Sequence, residues 1–87
     1  MAIERFQWTH HAELRLGERQ LTRGEVEQAI RDGHGDRQIN AGRADWRVHG
    51  IRSDEKSFAV IYDSPVEGDS SSARIVSAWP LRGAPAR

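Results

Sequence analysis

The period of the apolar residues changes once along this chain, near Gly35, and that change restricts the fold class more than any other feature. Before it the pattern is helical. Thr22-Arg23-Gly24-Glu25 has the capping-box spacing, in which the threonine side chain caps the Glu25 amide and Glu25 reaches back. Val26, Ala29 and Ile30 then share one helical stripe, and Asp32-Gly33 predicts a stop with Gly33 in the left-handed conformation. An earlier helix is expected over about His10–Gln20, capped by Thr9, after a short strand from Ile3 to Trp8. After Gly35 the period is two. Trp46 and Val48 alternate with Arg47 and His49, and Phe58, Val60 and Tyr62 alternate with Ala59, Ile61 and Asp63. Ile75, Ser77 and Trp79 alternate with Val76 and Ala78, with turns over 40–42, 52–55 and 64–72. The expected class is α+β: two consecutive N-terminal helices packed on one face of a small antiparallel sheet.

Size and charge narrow the function classes. The 87 residues suit one small domain over 1–81, with a frayed tail over 82–87. No apolar run approaches the ~20 residues that span a bilayer, and the first residues lack a signal-peptide pattern. Without cysteine there is neither a disulfide framework nor a thiolate metal site. Thirteen basic residues balance thirteen acidic ones, so the chain lacks the overall basic excess of many nucleic-acid binders. Twelve of those cations are arginine, the better phosphate fork, although a GC-rich genome produces the same bias.

The sharpest chemical feature is His11-Ala12-Glu13-Leu14-Arg15-Leu16-Gly17-Glu18-Arg19. His11, Arg15 and Arg19 recur every fourth residue, so on a helix they form one slanted stripe with members about 40° apart. Leu14 flanks the stripe on one side and Ala12 with Leu16 on the other, which predicts a stripe at the margin of the buried face, lining a concavity shared with the sheet edge. An imidazole titrating near neutrality beside two permanently charged forks suits gripping a phosphate and moving a proton. An exposed arginine-rich helix face would show the same spacing. His10 points about 100° away from His11, toward solvent.

The order helix, helix, meander, together with His-Ala-x-x-Arg-x-x-x-Arg near the start, resembles the family called domain of unknown function 4258. The second helix (residues 21–30), the strand Phe58–Asp63 and the terminal strand with Trp79 fit the same resemblance, which spans about residues 8–80. In the order of its elements that family is similar to RelE/ParE-like and barnase-like ribonuclease toxins. The resemblance implies an RNA-cleaving bacterial toxin without cofactor or metal, neutralised by a cognate antitoxin or immunity protein and acting in the cytoplasm, of the producing cell or of a target cell into which it is delivered. RelE-like toxins are generally basic, and this chain is neutral.

Metal-free RNA cleavage needs a base for the 2′-hydroxyl, donors for the phosphorane charge and an acid for the leaving oxygen. His11 can serve as base or acid, Arg15 and Arg19 as phosphate clamps, and Ser77 as a hydrogen-bond donor. Trp79 can stack a base, and His49 and Tyr62 are candidates for substrate contact or the second proton transfer. Packing is the competing role for Tyr62 and Trp79. Four scattered histidines do not make a metal set, and the Asp63, Glu67 and Asp69 group reads as a solvated loop. The alternative function is a non-enzymatic module of the same fold that docks to a protein target.

Overall fold

Both helices start where threonine supplies the cap. In the computed structural model, which describes residues 2–52 and 54–81, Thr9 accepts from the Ala12 amide and opens α1, His10–Arg19. Thr22 opens α2, Arg23–Gly33, through a complete capping box with Glu25. Gln20 ends α1 in the left-handed conformation at φ 58°. The expected left-handed cap at Gly33 is not formed: its φ is −98°, and the chain runs on into a single 3₁₀ turn, His34–Asp36. Glycine eases the packing there, since a Cβ would stand 3.1 Å from the Val48 side chain, closer than ordinary contact.

The strands are β1 (Arg5–Trp8), β2 (Gln38–Ile39), β3 (Trp46–Ile51), β4 (Ser57–Asp63) and β5 (Ser72–Pro80). They form one sheet in the order β1-β5-β4-β3-β2. The β2–β3, β3–β4 and β4–β5 pairs are antiparallel, as the meander predicts. β1 pairs parallel with β5, so the sheet is mixed and not purely antiparallel. The cause lies in the connection: α1, α2 and the meander return the chain beside β1 in the same direction, as a parallel pair requires a long crossover.

The helices divide the work unequally. α2 buries Val26, Ala29 and Ile30 in a core with Val48, Phe58 and Val60, and Ile3, Leu21, Tyr62 and Ile75 complete it. Its Arg31 and Arg23 lie over the rings of Phe6 and Trp8 at 5.0 and 5.4 Å, and Glu27 accepts from the Trp8 indole at 2.9 Å. α1 buries Ala12 and Leu16 and runs against β5 alone among the strands it packs on closely. β1 covers the outer edge of β5 only to Ile75. Beyond that point α1 takes over: Thr9 Oγ1 donates to the Ile75 carbonyl at 3.0 Å and Arg19 Nη1 to the Ala78 carbonyl at 2.8 Å. The two helices therefore do not lie side by side on one face.

A bulge corrects the expected alternation in β5. Ile61 pairs with Ser77 but Tyr62 with Ile75, which leaves Val76 as the extra residue. Ile75 therefore faces the helices while Ser77 and Trp79 face the other way. Between β4 and β5, Asp69 ties the loop together. It accepts from Arg5, from the Ser71 amide and hydroxyl and from the Ser72 hydroxyl, which holds its carboxyl well below the usual range. The expected turn over 52–55 is present in its described residues, with Ser53 outside them, and the tail 82–87 also lies outside them.

Candidate functional site

Period two makes each strand serve both faces, and the face without helices collects the chemistry. His49 pairs with Ala59, and Ala59 with Trp79, so the three lie in line across β3, β4 and β5. The next row is Arg47, Ile61 and Ser77. At about 4.8 Å between strands, an imidazole and an indole stand roughly 10 Å apart over the small floor of Ala59. His49 is exposed, Trp79 and Arg47 are half-buried, and Ser77 is buried. Arg47 lies low enough that its Nε is buried without a partner, and its Nη2 reaches Gln38 only at 3.5 Å. Arg74, paired between Gln7 and Asp63, extends the same surface toward β1. A chain of zero net charge thus carries a sheet face on which Arg47 and Arg74 stand among neutral side chains and Asp63, which accepts from the Asp45 amide.

The α1 stripe reaches this surface only at its rim. His11, Arg15 and Arg19 are all half-buried, at one margin of the helix's buried face. Arg19 is bound to the carbonyl of Ala78, the residue between Ser77 and Trp79. Arg15 is paired within its own helix, to Glu18 at 2.6 Å. The expected apolar flanks are half present: Ala12 and Leu16 are buried, but Leu14 is 57 % exposed, because nothing packs on that side of a helix laid along an edge. Clefts of about 640 and 180 Å³ both lie at the opposite, β3 edge of the sheet, and no stripe residue lines either. His10 is exposed, as expected.

Tyr62 does not join this constellation. Its register places it on the helix side with Trp46 and Ile75, fully buried, and its hydroxyl lies 2.7 Å from His34 Nδ1. Burial, then the Arg37 charge, holds the His34 imidazole below its ordinary pKa, and burial pushes the Tyr62 phenol up to about 12. Arg37 completes the group, donating to the His34 carbonyl and stacking 4.2 Å from the Trp46 ring centre. This pair is a neutral polar element of the core. Its signal is present in the sequence: His34 continues the Val26, Ile30 stripe at four-residue spacing. Arg47 is equally visible there as the residue alternating with Val48.

Among the described residues no helix is long and apolar enough to cross a membrane. Comparison with known proteins yields no family model, no curated protein and no solved structure that matches the chain.

Proposed function

We propose that the protein binds single-stranded RNA on the uncovered sheet face and cleaves it by acid–base chemistry, as a small bacterial toxin of RelE-like or barnase-like type. The observation that carries the reading is the alignment of His49 and Trp79 over Ala59, with Arg47 and Ser77 in the adjacent row. The two rings offer faces on which a splayed base can stack, and a planar guanidinium in the next row suits the phosphate. Among the described residues no group accepts from the buried Nε of Arg47. His49 is the exposed imidazole of the face and takes the role of proton carrier, with Ser77 a donor in the next row, two strands away. His11 and Arg15 act from the rim, and Arg19 holds that rim to β5 through Ala78. A toxin of this kind requires a cognate antitoxin or immunity protein in its producer.

The test is RNA binding and cleavage by the purified chain in the presence of a chelator. Trp79→Ala should weaken binding on the order of ten-fold, the scale of one lost base stack. His49→Ala should lower the cleavage rate by roughly 10²- to 10⁴-fold while binding persists. Intact RNA under all conditions, from a chain that still binds it, would leave a binding module without the chemistry. Absence of both binding and cleavage would overturn the reading.

A further inference from the structure

We propose that the β3 edge binds a short, extended, basic segment of a partner protein by strand addition, at a surface that adjoins the RNA face at His49. β2 pairs only with Trp46 and Arg47, so among the described residues no strand lies beside Val48–Ile51 on that side. An uncovered edge is a template of backbone donors and acceptors for another chain. Here the template has a built cleft beside it. The 640 Å³ cleft separates this edge from α2, and the 180 Å³ cleft continues it toward β2, with His49 in both. Small residues form the floor: a Cβ on Gly50 would come within 2.9 Å of Phe58 and Ala29.

The charge of the walls selects the occupant. Glu25 and Asp32 from α2 line the larger cleft and Asp36 the smaller one. Of the two arginines at these clefts, Arg52 is already paired with Asp54 at 3.1 Å, and Arg47 lines the smaller cleft with Asp36, so the excess of negative charge lies in the larger one. Side chains of an added strand alternate, so every second one, about 6.8 Å on, would enter the cleft. Asp32 is within reach of a lysine or arginine at one such position, and Glu25, about 10 Å back along the helix and held in the capping box, adds its charge to the same wall. The intervening side chains would lie on the other face, beside Ile51, which is 63 % exposed and favours an apolar neighbour. Carboxylate walls disfavour RNA at this edge. They also disfavour a second copy, since antiparallel β3–β3 pairing would bring the acidic sides of two α2 helices together. With β2 occupying Trp46 and Arg47, the added strand is limited to about four paired residues.

The experiment titrates the full chain with an alternating lysine–valine hexapeptide, followed by fluorescence anisotropy and by amide chemical shifts. Expected are saturable binding, shifts centred on Val48–Ile51, and at least ten-fold weaker binding by the double variant Asp32→Lys, Asp36→Lys. Asp32 lies in the last turn of α2, where lysine suits the helix dipole, so that change preserves the fold. Circular dichroism verifies this, and a lysine-to-glutamine peptide repeats the charge test on the unaltered protein. Methylating alternate peptide amides should abolish binding. Equal binding of a glutamate–valine peptide, equal binding of the methylated peptide, shifts confined to other elements, or no saturable binding would each overturn the proposal.

Discussion

The two long edges available on this sheet are treated in opposite ways. On one side β5 outgrows β1 at Ile75, and α1 closes the gap with Thr9 and Arg19 on the carbonyls of Ile75 and Ala78. On the other side β3 outgrows β2 at Arg47, and the rest of its length borders an open cleft under α2. Leaving an edge open invites pairing with another chain, and charged or twisted edges are the usual protection. Here the carboxylates of α2 supply that protection against most chains while remaining selective for basic ones. The difference separates roles that the sequence presents together. The His-Arg-Arg stripe helps close an edge, and the exposed imidazole of His49 lies between the uncovered face and the open edge.

The largest expected effect tests how tightly α2 must sit above that open edge. Gly50→Ala would place a methyl carbon 2.5 Å from the Phe58 ring and 2.7 Å from the Ala29 Cβ, so helix or ring must move. The expected loss is about 3 kcal/mol, at the upper end of overpacking costs, read as a lower urea midpoint. A loss under about 0.5 kcal/mol would mean that α2 can lift freely and that the cleft has no fixed shape.

Next in size is the polar pair under the helix side. Tyr62→Phe removes the hydroxyl from His34 and should cost about 1–3 kcal/mol, the scale of a buried group left without its partner. The pH dependence comes from the two shifts. The folded state holds His34 below its ordinary pKa, so as pH falls through about 6.5 the unfolded chain takes up the proton first and stability declines. The folded state holds the Tyr62 proton to about 12, so stability is retained below pH ~10 and lost between there and about 12 as the unfolded phenol ionises. Tyr62 is the chain's one tyrosine, so ultraviolet absorbance titrates it without overlap. An alkaline limb unchanged in Tyr62→Phe, or a tyrosine titrating near 10 in the folded protein, would contradict this account.

These two sites also show what is legible in the sequence. Both helices, their threonine caps and three strands are set by local spacing, and each falls near its expected place. Local spacing cannot register an edge. Nothing in Arg5–Trp8 states that its neighbour is β5 in parallel, because the partner lies beyond two helices and the whole meander. The bulge at Val76 reverses the expected side of Ile75 relative to Ser77, since a one-residue slip exchanges faces. The sequence suggests Gly33 for its backbone freedom, whereas what glycine eases there is the packing against Val48. Of the site residues, His49, Ser77 and Trp79 reveal themselves through their period. Tyr62 does not, because a phenol on a core-facing position looks the same in sequence whether it meets substrate or a buried imidazole.

A smaller effect compares the edges directly. Arg19→Ala exposes or strands the Ala78 carbonyl, and its guanidinium bond is half-buried, so a loss of about 1 kcal/mol is expected. The matching substitution at the open edge, Asp32→Ala, removes only the exposed contact with Gln28 and should stay within about ±0.5 kcal/mol. Equal losses in urea unfolding would show that α1 does not close the β5 edge. If Arg19→Ala abolished RNA cleavage with no change in stability, its role would lie with the phosphate and not with the strand.

The smallest effect on stability is expected at Ile51, and its value lies in the contrast with binding. Ile51 is largely exposed on the open edge, so Ile51→Lys removes little buried surface and should leave the unfolding midpoint nearly unchanged. A lysine there replaces the apolar neighbour of the peptide's valines, and side-chain pairs across neighbouring strands contribute to pairing. Capture of the lysine–valine peptide should therefore weaken several-fold. Ile51→Glu should leave stability equally unchanged and weaken capture as well. If both variants bound the peptide as the parent chain does, the cleft would act through charge at a distance, and Val48–Ile51 would not be the pairing strand.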